Sequence, residues 1–340
     1  MRRRKTRRQI KKQRKMIIIS SFALLFCLSV GYSAFNTSIN LTAKGNLKGT
    51  TIAILKNRVV TSGDGLYKDT YEDNRYIYRG VNPNNYIKLG DDVYRIISIE
   101  SDDTLKVIRT HSIGNMAFDT ENARYSTEST DYCNSTDSCK VWGSKSTTLD
   151  ANGNNVTQMP TVGDGTLYNL SEKESSLNIY LNNDWYNSLD DSIKNSIVSH
   201  IFNVGVTKSN ESVLANTVKY ESAYKWKGKV GLINLSDYVR ASTNPTCISV
   251  STYYRDSSCY SNSTTHNWIF TNLDNTISWA ITPSPGNSRN LMGGVINDGH
   301  VDGYLRCSVT YNVFPVFYLS SNITLKGDGT TDSPFQISSV

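Results

Sequence analysis

Only four histidines stand in the 340 residues, at positions 111, 200, 266 and 300, and no two share the spacing of a metal or acid–base pair. The Gly-x-Ser-x-Gly turn of serine hydrolases, the His-Glu-x-x-His zinc helix and the phosphate loop ending in Gly-Lys-Ser/Thr are all absent. Cys-x-x-Cys spacing is missing as well, which leaves zinc without a thiolate site. Residues 1–16 contain no acid and gather ten Lys or Arg, while the other 324 residues hold 26 bases against 30 acids. A basic arm ahead of a mildly acidic body is not the footprint that phosphate backbones select, and nucleic acid is excluded as the main partner.

Long hydrophobic runs are equally scarce. The one present is Ile17 to Phe35, nineteen residues without a charge, and the next charge is Lys44. At about 1.5 Å per residue the run reaches roughly the thickness of a bilayer hydrocarbon core. The basic arm stays on the cytoplasmic side, so the segment reads as a single-pass anchor with the remainder outside the cell. The alternative is a cleavable signal peptide and a secreted product; its apolar region is usually about 7–15 residues. The resulting division is a basic cytoplasmic arm at 1–16, a transmembrane segment at 17–35, a stalk with short strands at 36–80 and a folded domain at 81–340.

Five of six cysteines lie in the outer part. Cys133 with Cys139 and Cys247 with Cys259 make two close pairs that an oxidising compartment would bridge, with Cys307 left over. Free buried thiols are the competing reading.

Turn residues and β-branched content predict a three-strand meander at 86–89, 93–99 and 105–109, after a short β-like run at 51–55. Residues 119–168 form a long polar excursion containing Trp142. The capping box Ser171–Glu174, followed by Leu177, Tyr180, Leu181 and Trp185, predicts a helix over 172–186, and Ile193, Ile197 and Ile201 predict a second. The run 230–235 reads as a buried strand followed by a capped helical turn at 236–239. Strands are expected again at 278–281, 291–296, 300–305 and 313–319, with a hairpin turn at Asn297-Asp298-Gly299. Helices between distant β blocks define an α+β domain.

Four segments, Tyr86–Arg109, Tyr180–Leu189, Lys225–Ser242 and Trp279–Leu319, resemble a widespread family of membrane-anchored bacterial proteins of unknown function, over about residues 76–337. That family is similar to the C-type lectin-like fold, shared by sulfatase-modifying enzymes and by the variable binding proteins of diversity-generating retroelements. The resemblance implies antiparallel sheets with two helices. Trp279, Pro283 or Pro285, Asp298-Gly299, Val313 and Pro315 match the family's closing pattern, whereas Asn312 and Phe314 stand where it has Gly and Arg. A fold of this kind hosts enzymes and binders alike, so function rests on the site.

Tyr253, Tyr254, Tyr260 and Tyr304, interleaved with Ser, Asn and Asp near Trp268, suit a surface that stacks on sugars or binds proteins. Trp279 is expected in the core. His300 and Cys307 are close enough to face each other across strands as a nucleophile pair, although each is more commonly structural. The sulfatase-modifying relatives use a cysteine pair near the end of the fold, and only Cys307 lies past residue 259. Calcium needs grouped oxygen ligands, for which Asn244-Pro245 and Asp274-Asn275 are the nearest candidates. Gly63-Asp64-Gly65 and Gly327-Asp328-Gly329 are similar to calcium-repeat turns, yet two isolated copies read as β-turns. The reading is a surface protein of a bacterial envelope that binds a glycan, a protein or cell-wall material without catalysis. An extracytoplasmic enzyme on the same fold and a structural envelope component are the alternatives.

Overall fold

Two tight turns set the central sheet. Gly90, at φ +60°, opens the two-residue turn that places Leu89 opposite Asp92, a conformation that favours glycine. Asp103, at φ +67°, closes the next turn while Asp102 accepts from the Thr104 amide and hydroxyl. The meander is therefore Tyr86–Leu89, Asp92–Ile99 and Leu105–Arg109, as the turn chemistry predicts. Tyr94 and Arg95, successive residues in regular register, point to opposite faces and are both buried, so this sheet is covered on its two sides.

The structure, a computed structural model, describes residues 51–120, 137–138, 140–160, 167–208, 210–260, 266–273, 276–283, 291–295 and 298–339. Among these, ten strands form the central sheet in the order Ile197–Val198, Val316–Leu319, Leu105–Arg109, Asp92–Ile99, Tyr86–Leu89, Phe335–Ser339 and Thr324–Lys326, with three more beside this path. Phe335–Ser339 runs parallel to Tyr86–Leu89, so the C-terminal strand closes on the beginning of the fold. A second sheet joins Asn115–Ala117 through Thr310–Asn312 to Ser278–Pro283, Leu291–Val295 and Val301–Arg306. Short helices fill the connections, which makes the whole a mixed α+β structure dominated by sheet.

Aromatic rings join these layers. Trp142 packs against Phe118 at 5.8 Å and Trp226 at 5.9 Å, and Phe118 continues to Trp279 at 5.6 Å. Trp142 thus belongs to the core although it lies in a polar stretch, and Trp268 and Trp279 are buried too.

Several elements differ from the sequence reading. Residues 51–55 are not a strand: Thr51 accepts from the Ile54 amide and caps helix Ile52–Lys56, which buries Ile52 and Leu55. Gly65–Lys68 and Tyr76–Arg79 belong to the central sheet, so the folded unit begins near residue 51, well inside the expected stalk. The helical stretch before Trp185 begins at Ser176, capped by Ser175, and passes through a π turn at Leu181–Trp185. Glu174 is not engaged in the expected box; its carboxylate accepts from Trp226 Nε1 at 2.8 Å. The second expected helix is confined to Asp191–Lys194, after which Ile197–Val198 and His200–Asn203 are strands. A spacing of four residues is a multiple of the strand period as well as near one helical turn, and here sheet pairing of Ile197 with Leu319 prevails. The buried run at 230–235 splits into strand Val230–Gly231 and the start of helix Leu235–Arg240.

Among the described residues no helix is long and apolar enough to cross a membrane; Ile17 to Phe35 lie outside them.

Candidate functional site

One covalent bond closes the tyrosine-bearing loop. Cys247 and Cys259, twelve residues apart, form a disulfide with Cα atoms 5.3 Å from each other. Between them Ser249 and Thr252 make a reciprocal capping box at the head of helix Val250–Arg255. Asp256 then accepts from the Ser258 amide and hydroxyl, which turns the chain into Ser257–Tyr260. Cys133 and Cys139 lie outside the described residues.

Successive helical residues point about 100° apart, and this separates two neighbouring tyrosines. Tyr253 turns inward and is fully buried, its ring 5.0 Å from Tyr238 and its hydroxyl accepting from Asn267 Nδ2 at 3.1 Å. Burial pushes its phenol above the ordinary value. The expectation of an exposed contact at Tyr253 is thereby corrected: this residue anchors the loop. Tyr254 turns outward, where its ring lies 5.8 Å from that of His300, and the Tyr260 ring approaches His300 to 5.1 Å. All three are half-buried, and Arg255 lies 5.9 Å from the Tyr254 ring centre.

The hairpin holds His300 from its other side. Its amide donates to Asp298 Oδ1 at 3.0 Å, Gly299 turns at φ +89°, and the Tyr238 hydroxyl donates to the Gly299 carbonyl at 2.7 Å. Tyr238 therefore fixes both parts of the site, the loop through Tyr253 and the hairpin through Gly299. Tyr304 lies on strand Val301–Arg306, which packs on helix Val250–Arg255; its side chain is outside the described set. Two phenols, an imidazole and a guanidinium give this surface ring faces for stacking and several hydrogen-bonding edges.

Cys307 does not join it. Its side chain is fully buried, and burial pushes the thiol well up, with the Asp119 carboxylate adding to the shift and the Lys140 ammonium opposing it. A thiol so placed stays protonated at neutral pH and is a poor nucleophile.

The same helix that carries Tyr238 also carries Asp237 and Arg240, which enter a buried ion network. Arg75 reaches Asp69 at 2.7 Å, Glu100 at 3.0 Å and Asp237 at 2.7 Å; Lys106 meets Asp237 at 2.7 Å, and Arg240 meets Asp69 at 2.6 Å and Glu72 at 2.5 Å. Burial alone would raise the Asp237 carboxyl, but Lys106, Arg75 and Arg240 outweigh it and hold the group well below the usual carboxylate range. Asp69 is lowered in the same way, its burial overcome by Arg240 and Arg75. Glu221 stands apart. It is fully buried, burial raises its carboxyl, and its Oε2 has no hydrogen-bond partner among the described residues. No sequence spacing connects Asp69, Lys106 and Asp237; a turn after strand Gly65–Lys68, strand Leu105–Arg109 and helix Leu235–Arg240 bring them together in the fold.

Among the described residues no three His, Cys, Asp or Glu side chains converge to hold a metal. Asn244 uses its side-chain oxygen to accept from the Thr246 amide and hydroxyl, as a turn former does, and Asp274 and Asn275 lie outside the described residues. Three cavities share no lining residue with the ring cluster. One of about 70 Å³ lies beside Cys247 between Tyr71, Ile248 and Arg240. One of about 600 Å³ opens between Lys88, Asn195 and Gln336, and one of about 250 Å³ between Arg58, Asn84 and Asp328.

Compared with known proteins, the chain matches no family model, no curated protein and no solved structure.

Proposed function

We propose that this chain is a non-catalytic recognition protein of a bacterial envelope, a C-type lectin-like domain carried outside the cell by the segment Ile17 to Phe35. The observation that carries the reading is the half-exposed ring cluster of Tyr254, Tyr260 and His300 on a loop closed by a disulfide. Rigid aromatic residues give large contact area at little entropic cost, and a closed loop has less order left to lose on binding. The disulfide also suits an oxidising compartment, in line with the proposed location. The ligand class is a glycan, a protein or cell-wall material. In this reading Tyr254, Tyr260 and Tyr304 face the ligand and Tyr253 supports them.

The test is a binding screen of the full-length chain against glycan and cell-wall fragments, with calcium and again with a chelator. Saturable binding that survives chelation and is lost in Tyr254→Ala supports the reading. Binding that disappears on chelation moves the site to a calcium centre involving Asp274 and Asn275. Absence of binding in both conditions removes the carbohydrate ligand and leaves a protein partner to be tested.

A further inference from the structure

The two Gly-Asp-Gly turns, 264 positions apart in the chain, meet in one cavity. In the first, Asp64 accepts from the backbone amides of Val81 at 2.9 Å and Asn82 at 2.7 Å, which fixes the loop that follows strand Tyr76–Arg79. In the second, Asp328 accepts from the Thr330 amide and hydroxyl at 3.1 and 2.8 Å. Gly329, at φ +83°, docks this turn on the same loop: a Cβ there would lie 2.5 Å from the Asn84 carbonyl oxygen, and the Gly329 carbonyl accepts from the Tyr86 amide at 2.8 Å. Glycine is required at that position by both the dihedral and the close approach.

The cavity between the turns measures about 250 Å³ and has two kinds of wall. Val60, Leu66, Tyr78 and Pro83 supply an apolar side. Arg58, Asn84 and Asp328, all solvent-exposed, supply a rim of planar polar groups. A metal ion is disfavoured, because Asp64 already accepts two amides and Arg58 places a fixed positive charge in the same space. A pyranose ring meets both walls, since its C–H face is apolar and its vicinal hydroxyls pair with carboxylate, amide and guanidinium edges.

We infer that the cavity where the two Gly-Asp-Gly turns meet is a binding site for a single saccharide ring, distinct from the Tyr254–His300–Tyr260 surface. It does not rest on the disulfide-closed loop, and the two sites fail or succeed separately.

Saturation-transfer NMR on the full-length chain, with glucose, galactose, mannose and N-acetylglucosamine as probes, tests it on the wild type, Asn84→Ala, Asp328→Asn and Tyr254→Ala. Saturable binding of at least one probe is expected, weakened about tenfold or more by Asn84→Ala and by Asp328→Asn and unchanged by Tyr254→Ala. Asn84→Ala should keep the wild-type melting temperature, because Asn84 is a solvent-exposed side chain, and so it decides the matter even if Asp328→Asn disturbs its turn. The inference is overturned if no probe binds, if binding survives Asn84→Ala, or if only Tyr254→Ala abolishes it.

Discussion

Helix Leu235–Arg240 has two sides with opposite uses of polarity. On one, Asp237 and Arg240 join Arg75, Lys106, Asp69, Glu72 and Glu100 in a network whose charged groups are all paired inside the chain. On the other, Tyr238 supports a surface where Tyr254, Tyr260 and His300 are partly exposed. Charges fully satisfied by each other fix an arrangement and leave nothing for a ligand. Rings held from behind by a buried tyrosine keep their faces available.

The sharpest way to break the first side is Asp237→Ala. That change removes the carboxylate shared by Arg75, Lys106 and Arg240; the two arginines keep Asp69, Glu72 and Glu100, but Lys106 is left as a buried cation without its ion-pair partner, and the loss should cost about 3–5 kcal/mol. Urea denaturation would show a lower midpoint at unchanged slope; a wild-type midpoint would mean that water screens the network. Tyr253→Ala should cost a similar amount, about 3–5 kcal/mol, by emptying a site in the core. Opening the Cys247–Cys259 bridge with reductant comes next, at about 2–4 kcal/mol. The informative readout there is ligand retention, which should fall along with the melting temperature because the bridge positions the rings.

Acid separates the two sides by a different route. Asp69 and Asp237 have folded-state carboxyls below their unfolded values, near roughly 4. Their stabilisation is complete above that range and is lost as pH falls through the lowered folded values. Glu221 acts in the opposite sense: its raised carboxyl favours the fold while protonated, and stability declines as pH rises through the raised value. Glu221→Gln should therefore melt like the wild type in mild acid and at higher temperature near neutrality. An offset that stays constant across pH would show that lost contacts, and not ionisation, account for the difference.

Local chemistry made much of this legible. The meander at 86–109, the hairpin at Asp298-Gly299 and the Cys247–Cys259 pairing follow from turn residues and short spacing, and the structure has all three. What escaped depends on long-range pairing. Ile193, Ile197 and Ile201 carry a period that fits helix and strand alike, and only the partner Leu319, more than a hundred residues away, decides between them. The helix cap is Ser175 in place of Ser171, and Glu174 is held by Trp226, a partner more than fifty residues away. Tyr253 and Tyr254 are indistinguishable as letters, and their separation needs the phase of a helix whose inward side is set by Tyr238 and Asn267. The ion network is invisible from spacing for the same reason.

Tyr254→Ala carries the smallest expected effect on stability and the largest on recognition. Its ring is half-buried and touches His300 and Arg255, with no hydrogen bond from its hydroxyl among the described residues. Surface truncations of that kind usually change stability by about 0.5 kcal/mol or less. An aromatic contact at the centre of a binding surface is worth about 2 kcal/mol or more, roughly thirtyfold in affinity. Paired with Tyr253→Ala, one residue away, the variant turns the comparison into a measurement: the inner tyrosine should alter melting, and the outer one should alter binding at an unchanged melting temperature. If the outer change lowers melting as much as the inner one, the ring cluster belongs to the core and the recognition surface must lie elsewhere on the domain.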